Sequence, residues 1–393
     1  MKLKFLKKIA VGFLGLSIFL GATHATYAAQ NPAAPAKPAN TKKIVINSAS
    51  RILMLWDGDT KVAIYPLGLG KVSTPTPEGY FKIQTKEINP TWIDPSDPEY
   101  YIPSGPSNPL GYRWMQIYGN YGIHGTNRPD SIGHYVSNGC IRMREKDVED
   151  LFGRVDVGTP VEINYNRVVV EKADDDNIVY YIYPDGYGRQ KLTVDYVSDW
   201  LKPFGVSAFE SDEDIQKKIA ASDGEPTFVG KPYAVEIDGK TVEQTEANGR
   251  TFFAKAVVRN NVAYLPAVPI SLSLKRKIEW RPAESTLKTS YGTVIGYEMK
   301  KQIYCNLDDA IVLFHIDGGL QNVSSNPADG KIFKFRTVDP NQQIKRPEKP
   351  GTSEIFGEDD PNEVSAPADN TKPADKKIDE KKLEGKINQD NKA

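Results

Sequence analysis

The residues best suited to chemistry lie between Ile123 and Arg144, in the run IHGTNRPDSIGHYVSNGCIRMR. It holds His124, His134 and Cys140, with a Ser137-Asn138-Gly139 turn just before the cysteine and Arg142 just after it. A cysteine attacks as thiolate, so it needs a nearby base or positive field. Histidine, titrating near neutral pH, is the usual base. Two consecutive amides at Gly139 and Cys140 are suited to hold a developing oxyanion. Arg142 offers a fixed charge that fits a substrate carboxylate. Spacing alone leaves two candidate bases, His124 and His134. Taken singly, each residue has an ordinary reading: a buried thiol, a core or surface imidazole, a solvated charge. Together they form a constellation that no ordinary reading of one member explains. A metal site built from His124, His134 and Cys140 lacks a fourth ligand and a ligand-like spacing, so no metal and no cofactor are expected.

These motifs carry a resemblance. His124-Gly125-Thr126 followed by Ser137-Asn138-Gly139-Cys140-Ile141-Arg142-Met143 resembles the HGT…S-x-G-C-[IV]-R signature of the L,D-transpeptidase catalytic domain, the YkuD-like family. Thr74-Pro75-Thr76-Pro77-Glu78-Gly79 resembles its upstream TPTPxG segment, and Trp114-Met115 and Asp147 fit as well. The match runs from about Lys43 to Asn164. Many members have a histidine where this chain has Asn138.

The resemblance implies an exported enzyme acting on peptidoglycan stem peptides. Cys140 would form a thioester with a donor tetrapeptide, releasing D-alanine, and pass the acyl group to an amine. His124 would be the base, and the Gly139 and Cys140 amides the oxyanion hole. Arg142 would bind a carboxylate, Ser137, Asn138 and Gly139 would contact substrate, and Gly125 would orient the imidazole. A carbapenem adduct on Cys140 is a further implication. Two rival readings stand beside this one: a carboxypeptidase using the same thioester, and a non-catalytic wall-binding protein.

The elements around Cys140 read as short strands. Ile44–Asn47, Arg51–Trp56 and Val62–Pro66 favour strand, with Asp57-Gly58 as a hairpin turn. Tyr80–Gln84, Trp114–Tyr118, Gly122–His124 and Thr159–Asn164 add more. Ile88–Leu110 carries six prolines and reads as a loop or flap. Glu145–Phe152 has helical spacing, with Gly153 as its stop. The expected fold is mainly β: a β-sandwich-like domain with one short helix after the nucleophile, then a smaller α+β accessory domain.

Composition sets the wider frame. The chain has 393 residues, 50 basic and 51 acidic, a formal net charge of −1. That is no footprint for nucleic acid. Lys2, Lys4, Lys7 and Lys8, the apolar run Ile9–Ala22 and Thr26-Tyr27-Ala28 read as a signal peptide over 1–28. A linker over 29–42 follows, then the catalytic domain over 43–164. No stable membrane span is expected after cleavage, and the product would sit in the cell wall, periplasm or medium. With only Cys140 and Cys305, a disulfide framework is not expected. The accessory region, 165–337, has helical patterns at 194–205 and 212–221 and a hairpin pattern at 234–242. It faintly resembles a copper amine oxidase N-terminal-like domain, without implying copper, since it holds one histidine, His315. From 338 to 393 Pro, Lys, Asp and Glu dominate and disorder is expected.

Overall fold

The computed structural model describes residues 41–245, 249–326 and 330–344. The expected signal peptide, nearly all of the linker, and the tail from 345 onward lie outside the described residues. The chain divides into two compact units, Met1–Tyr165 and Asn166–Ala393.

In the first unit, strands β1 (Lys42–Asn47), β2 (Ile52–Asp57) and β3 (Thr60–Pro66) form a meander. Their burial alternates: Ile44 and Ile46, then Leu53 and Leu55, are buried, while Val45 and Met54 between them are partly open. That period of two is what one buried sheet face requires. Strands β4 (Leu69–Gly70), β5 (Gly79–Lys82) and β6 (Thr85–Ile88) follow, then a two-rung hairpin of β7 (Trp92–Ile93) and β8 (Tyr101–Ile102). Next come β9 (Arg113–Tyr118), β10 (Tyr121–His124), β11 (Tyr135–Ser137), β12 (Ile141–Arg142), helix α1 (Glu145–Arg154) and β13 (Pro160–Asn164). One sheet runs β3-β2-β1-β13-β5 and another β12-β10-β9-β6. Ile44, Ile46, Leu53 and Leu55 of the first sheet share one core with Met115, Ile117, Ile123 and Ile141 of the second.

Two expectations change in detail. The proline-rich segment is not wholly irregular, because the β7–β8 pair forms within it. Asn108, fully buried, pins that loop: its Nδ2 donates to the carbonyls of Pro90 at 2.8 Å and Ile102 at 3.1 Å. Gly153 does not stop α1, which continues to Arg154. Lys86 Nζ donates to the Phe152 carbonyl at 2.7 Å and the Val155 carbonyl at 2.5 Å, satisfying acceptors at the helix end. Val148 and Leu151 are the face of α1 that enters the core.

The second unit is also rich in strand, with helices at Val194–Leu201, Asp212–Ala221, Ala267–Ser273 and Leu307–Phe314. It is the longer unit, not the smaller one expected. Thr227–Ile237 is its central strand, pairing antiparallel with Lys255–Arg259 and parallel with Lys331–Thr337. Order reaches past 338: Val338 N–H donates to the His315 carbonyl at 3.2 Å, and the Asp339 carbonyl lies 2.8 Å from His315 Nε2. Among the described residues no helix is long and apolar enough to cross a membrane.

Candidate active site

The site is built on two neighbouring strands. β10 and β12 run parallel, with Ile123 opposite Ile141 and His124 opposite Arg142. Alternation then fixes the faces. Ile123 and Ile141 enter the core, while His124 and Arg142 lie on the other face with Cys140, the residue before β12. The signature spacing is thus a register: it brings an imidazole, a thiol and a guanidinium to one side of one sheet. β9 completes this face. Trp114 pairs with His124 across the ladder and stacks on its ring at 5.7 Å between centroids.

His124 is 3% exposed. Its Nδ1 lies 2.6 Å from the Gly125 carbonyl. A carbonyl only accepts, so Nδ1 carries the proton and Nε2 the lone pair. Burial pushes the imidazole pKa down to about 4, with the Gly125 carbonyl opposing and the Arg142 charge adding to the shift. His124 is therefore neutral at pH 7 and able to accept a proton.

Cys140 is half-buried, and its Sγ donates to the Asn120 carbonyl at 3.5 Å. Burial raises the thiol pKa, while the Gly122 amide and Arg142 lower it. Thiol and imidazole are thus both in their neutral forms at pH 7.

The turn before Cys140 is held from within. Ser137 Oγ donates to the Cys140 carbonyl at 2.6 Å and accepts from Gly139 N–H at 3.1 Å. Ser137, 2% exposed, is a clamp on the turn and not a free ligand for substrate. Gly139 N–H is likewise engaged, which corrects the expectation of two free oxyanion donors. Cys140 N–H, which no described group accepts, is the open one. Gly139 has φ +112°, and a Cβ there would lie 2.3 Å from Tyr121 Cε1. Asn138 is exposed at the rim.

Arg142 is half-buried and its Nε has no partner. Burial disfavours its charge, as does the nearby Arg128, while Cys140 and Asp130 favour it. An incoming anion would relieve that imbalance. His134 is exposed on the segment before β11, where its backbone carbonyl accepts from Leu69 N–H at 2.9 Å. It is on neither site strand. Gly125 has a reason the sequence did not disclose: a Cβ there would lie 2.0 Å from Glu145 Oε1. Glu145, Tyr121 and the stacking role of Trp114 were not singled out from the sequence. An acid at a helix start reads as favourable to the helix dipole, so nothing local marked Glu145.

Comparison with known proteins gives this geometry its context. The sequence model of the YkuD family, the L,D-transpeptidase catalytic domain, matches residues 41–163. The probable L,D-transpeptidase ErfK/SrfK of Escherichia coli is 31% identical over 223 residues, 53% of this chain and 63% of that protein. YqjB of Bacillus subtilis, which carries a provisional L,D-transpeptidase name, is 38% identical over 127 residues, 30% of this chain and 69% of that protein. Among solved structures, L,D-transpeptidase 3 from Mycobacterium tuberculosis in complex with a faropenem-derived adduct is 20% identical, covers 32% of this chain and 60% of that one, and gives a TM-score of 0.27. The chain thus spans less than two thirds of the Escherichia coli protein but more than two thirds of YqjB. The family model falls on the span that carries the His124 and Cys140 motifs, and with YqjB 38% identical and covered over 69% of its length the chain belongs to the L,D-transpeptidase (YkuD) family.

Proposed function

We propose that the chain is an exported cysteine acyltransferase that cuts and rejoins peptidoglycan stem peptides. One observation carries the reading: the parallel β10–β12 register, which sets His124 opposite Arg142, with Cys140 two residues before Arg142 and so on the same face. In this reading Cys140 Sγ attacks the carbonyl joining an L-configured centre to the terminal D-alanine of a donor tetrapeptide. Nε2 of His124 takes the thiol proton and delivers it to the departing amine. The C–N bond breaks, D-alanine leaves and a thioester remains. Cys140 N–H steadies the oxyanion. An acceptor amine then attacks the thioester, His124 takes its proton, and the thiol is restored. Arg142 holds a carboxylate of the stem peptide.

Export and a cell-envelope location rest on the N-terminal pattern, and residues 166–344 serve as an accessory module. A β-lactam, which presents a strained acyl group, would trap the same thiol. The test incubates the chain from Gln30 onward with disaccharide-tetrapeptide and follows mass. Loss of D-alanine with an adduct on Cys140, then a cross-linked dimer, is the expected outcome. Loss without a dimer in excess amine means a carboxypeptidase. No adduct in folded protein would leave only the wall-binding reading.

A further inference from the structure

The reaction proposed above leaves one acidic side chain at the site without a role. Glu145, the first residue of α1, is half-buried. Its Oε1 accepts from Thr126 N–H at 2.6 Å, and its Oε2 from Tyr112 N–H at 3.1 Å. Two glycines make the space: a Cβ would lie 2.0 Å from Oε1 at Gly125 and 1.8 Å from it at Gly111. Both acceptors are spent on loops outside the helix. A surface acid that merely favours the helix dipole would have no need of them.

The Thr126 N–H and the Gly125 C=O are the two ends of one peptide group. The carbonyl end is the acceptor for His124 Nδ1, at 2.6 Å. A peptide group is conjugated, so a negative charge held at its N–H end increases the electron density on its oxygen. We propose that Glu145 is a positioning residue for His124, acting through the Gly125–Thr126 peptide: carboxylate, peptide and imidazole form a relay that fixes the tautomer and strengthens the Nδ1–H bond as Nε2 takes the Cys140 proton. The proposal rests on His124 being the base. Geometry supports it twice over, because the same carboxylate also ties the Tyr112 amide, beside the strand that carries Trp114. Trp114 in turn covers the imidazole from its face. The ring is thus held at Nδ1 by the peptide and on its face by the indole, and Glu145 contacts the backbone behind both.

The test is Glu145→Gln in the full chain, assayed with disaccharide-tetrapeptide. Glutamine keeps the shape but offers one acceptor where two amides need one each, and it carries no charge. We expect kcat for thioester formation to fall about tenfold, the size of one weakened charge-assisted hydrogen bond, with KM nearly unchanged. The NMR resonance of the His124 Nδ1 proton should move upfield in the same protein. In Glu145→Ala, formate should restore kcat in a concentration-dependent way. Glu149→Gln, one turn further along α1 and paired with Arg113, should change neither reading. A folded Gln variant with wild-type kcat and an unmoved Nδ1 proton would overturn the proposal, as would a lower kcat with that resonance unchanged. If the Gln variant does not fold, Glu145→Asp replaces it: charge is kept but reach is lost, so rate and resonance must still move together. Should the wild-type form no thioester, the functional reading fails, while the Nδ1 resonance still decides whether Glu145 acts on His124.

Discussion

His124 and Arg142 stand opposite each other where β10 and β12 run parallel. One consequence is electrostatic. The Arg142 charge disfavours a second positive charge on the imidazole, adding to the larger effect of burial. A second is chemical: an imidazole able to accept a proton is kept neutral beside a cation suited to an anion.

That arrangement sets the pH profile. With the His124 pKa lowered to about 4, the acid limb of Cys140 acylation should have its midpoint near pH 4. An unperturbed imidazole would place it near 6.5. Single-turnover acylation by disaccharide-tetrapeptide between pH 3.5 and 8 checks this, and a midpoint above 6 would contradict the buried, neutral base.

The same shift has a stability signature. The unfolded chain takes up a proton on this histidine first, near pH 6.5, and the folded chain only near 4. Stability from this group is therefore full above about pH 6.5 and is lost as pH falls towards 4, by about 3 kcal/mol in all. Urea midpoints at pH 7 and 4.5 should converge for His124→Gln more than for wild type. Carboxylates titrate in both proteins, so the difference between them isolates His124. Equal pH dependence in the two would count against the depressed pKa.

Gly139 and Tyr121 supply a packing test. At φ +112° a side chain is strained, and a Cβ would strike the Tyr121 ring. Gly139→Ala should destabilise by about 1–3 kcal/mol and slow acylation by displacing the turn. In a Tyr121→Ala background the clash disappears and only the backbone strain remains, so the penalty should shrink. Thermal unfolding of the four proteins measures the coupling, and strict additivity would mean that the ring is not what Gly139 avoids.

Much of the site was legible because its signals are local. The Asp57-Gly58 turn with its flanking alternation gave the β2–β3 hairpin, and the His124 and Cys140 motifs lie on adjacent strands. What stayed hidden depends on contacts distant in sequence. Glu145 meets Thr126 and Tyr112 only after the sheet has formed. Gly125 read as the residue that orients the imidazole; that it also makes room for Glu145 depends on a contact twenty residues away in sequence. The Gly139 amide looked free because a sequence does not reveal that Ser137 Oγ turns back to it. Ala267–Ser273 was missed because a seven-residue helix starting Ala-Val-Pro has too little periodicity to read.

The two cysteines should behave very differently. Cys305 is fully buried in the second unit, and burial pushes its thiol up to about 12. Cys140 is only half-buried, and both are free. Native protein should react with one equivalent of a thiol reagent, at Cys140, and with two after unfolding. Labelling of Cys305 in folded protein would mean that the second unit opens readily.

Arg142 gives the sharpest test of substrate chemistry. Its Nε is buried and unpartnered, and Arg128 adds like charge nearby. A guanidinium so placed should gain from a carboxylate that takes two parallel hydrogen bonds, which an ammonium cannot reproduce. Arg142→Lys keeps the charge, yet it should lose about tenfold or more in kcat/KM for a donor with free carboxylates. A donor amidated at the contacted carboxylate should show little difference between the Arg and Lys proteins, because the paired contact is already absent. Comparing both donors on both proteins separates geometry from charge. If Lys equals Arg on the free-acid donor, the residue acts only as a diffuse positive field. If the variant loses the same factor on both donors, it props the backbone bridge between Arg142 and Gly68 and does not bind the carboxylate.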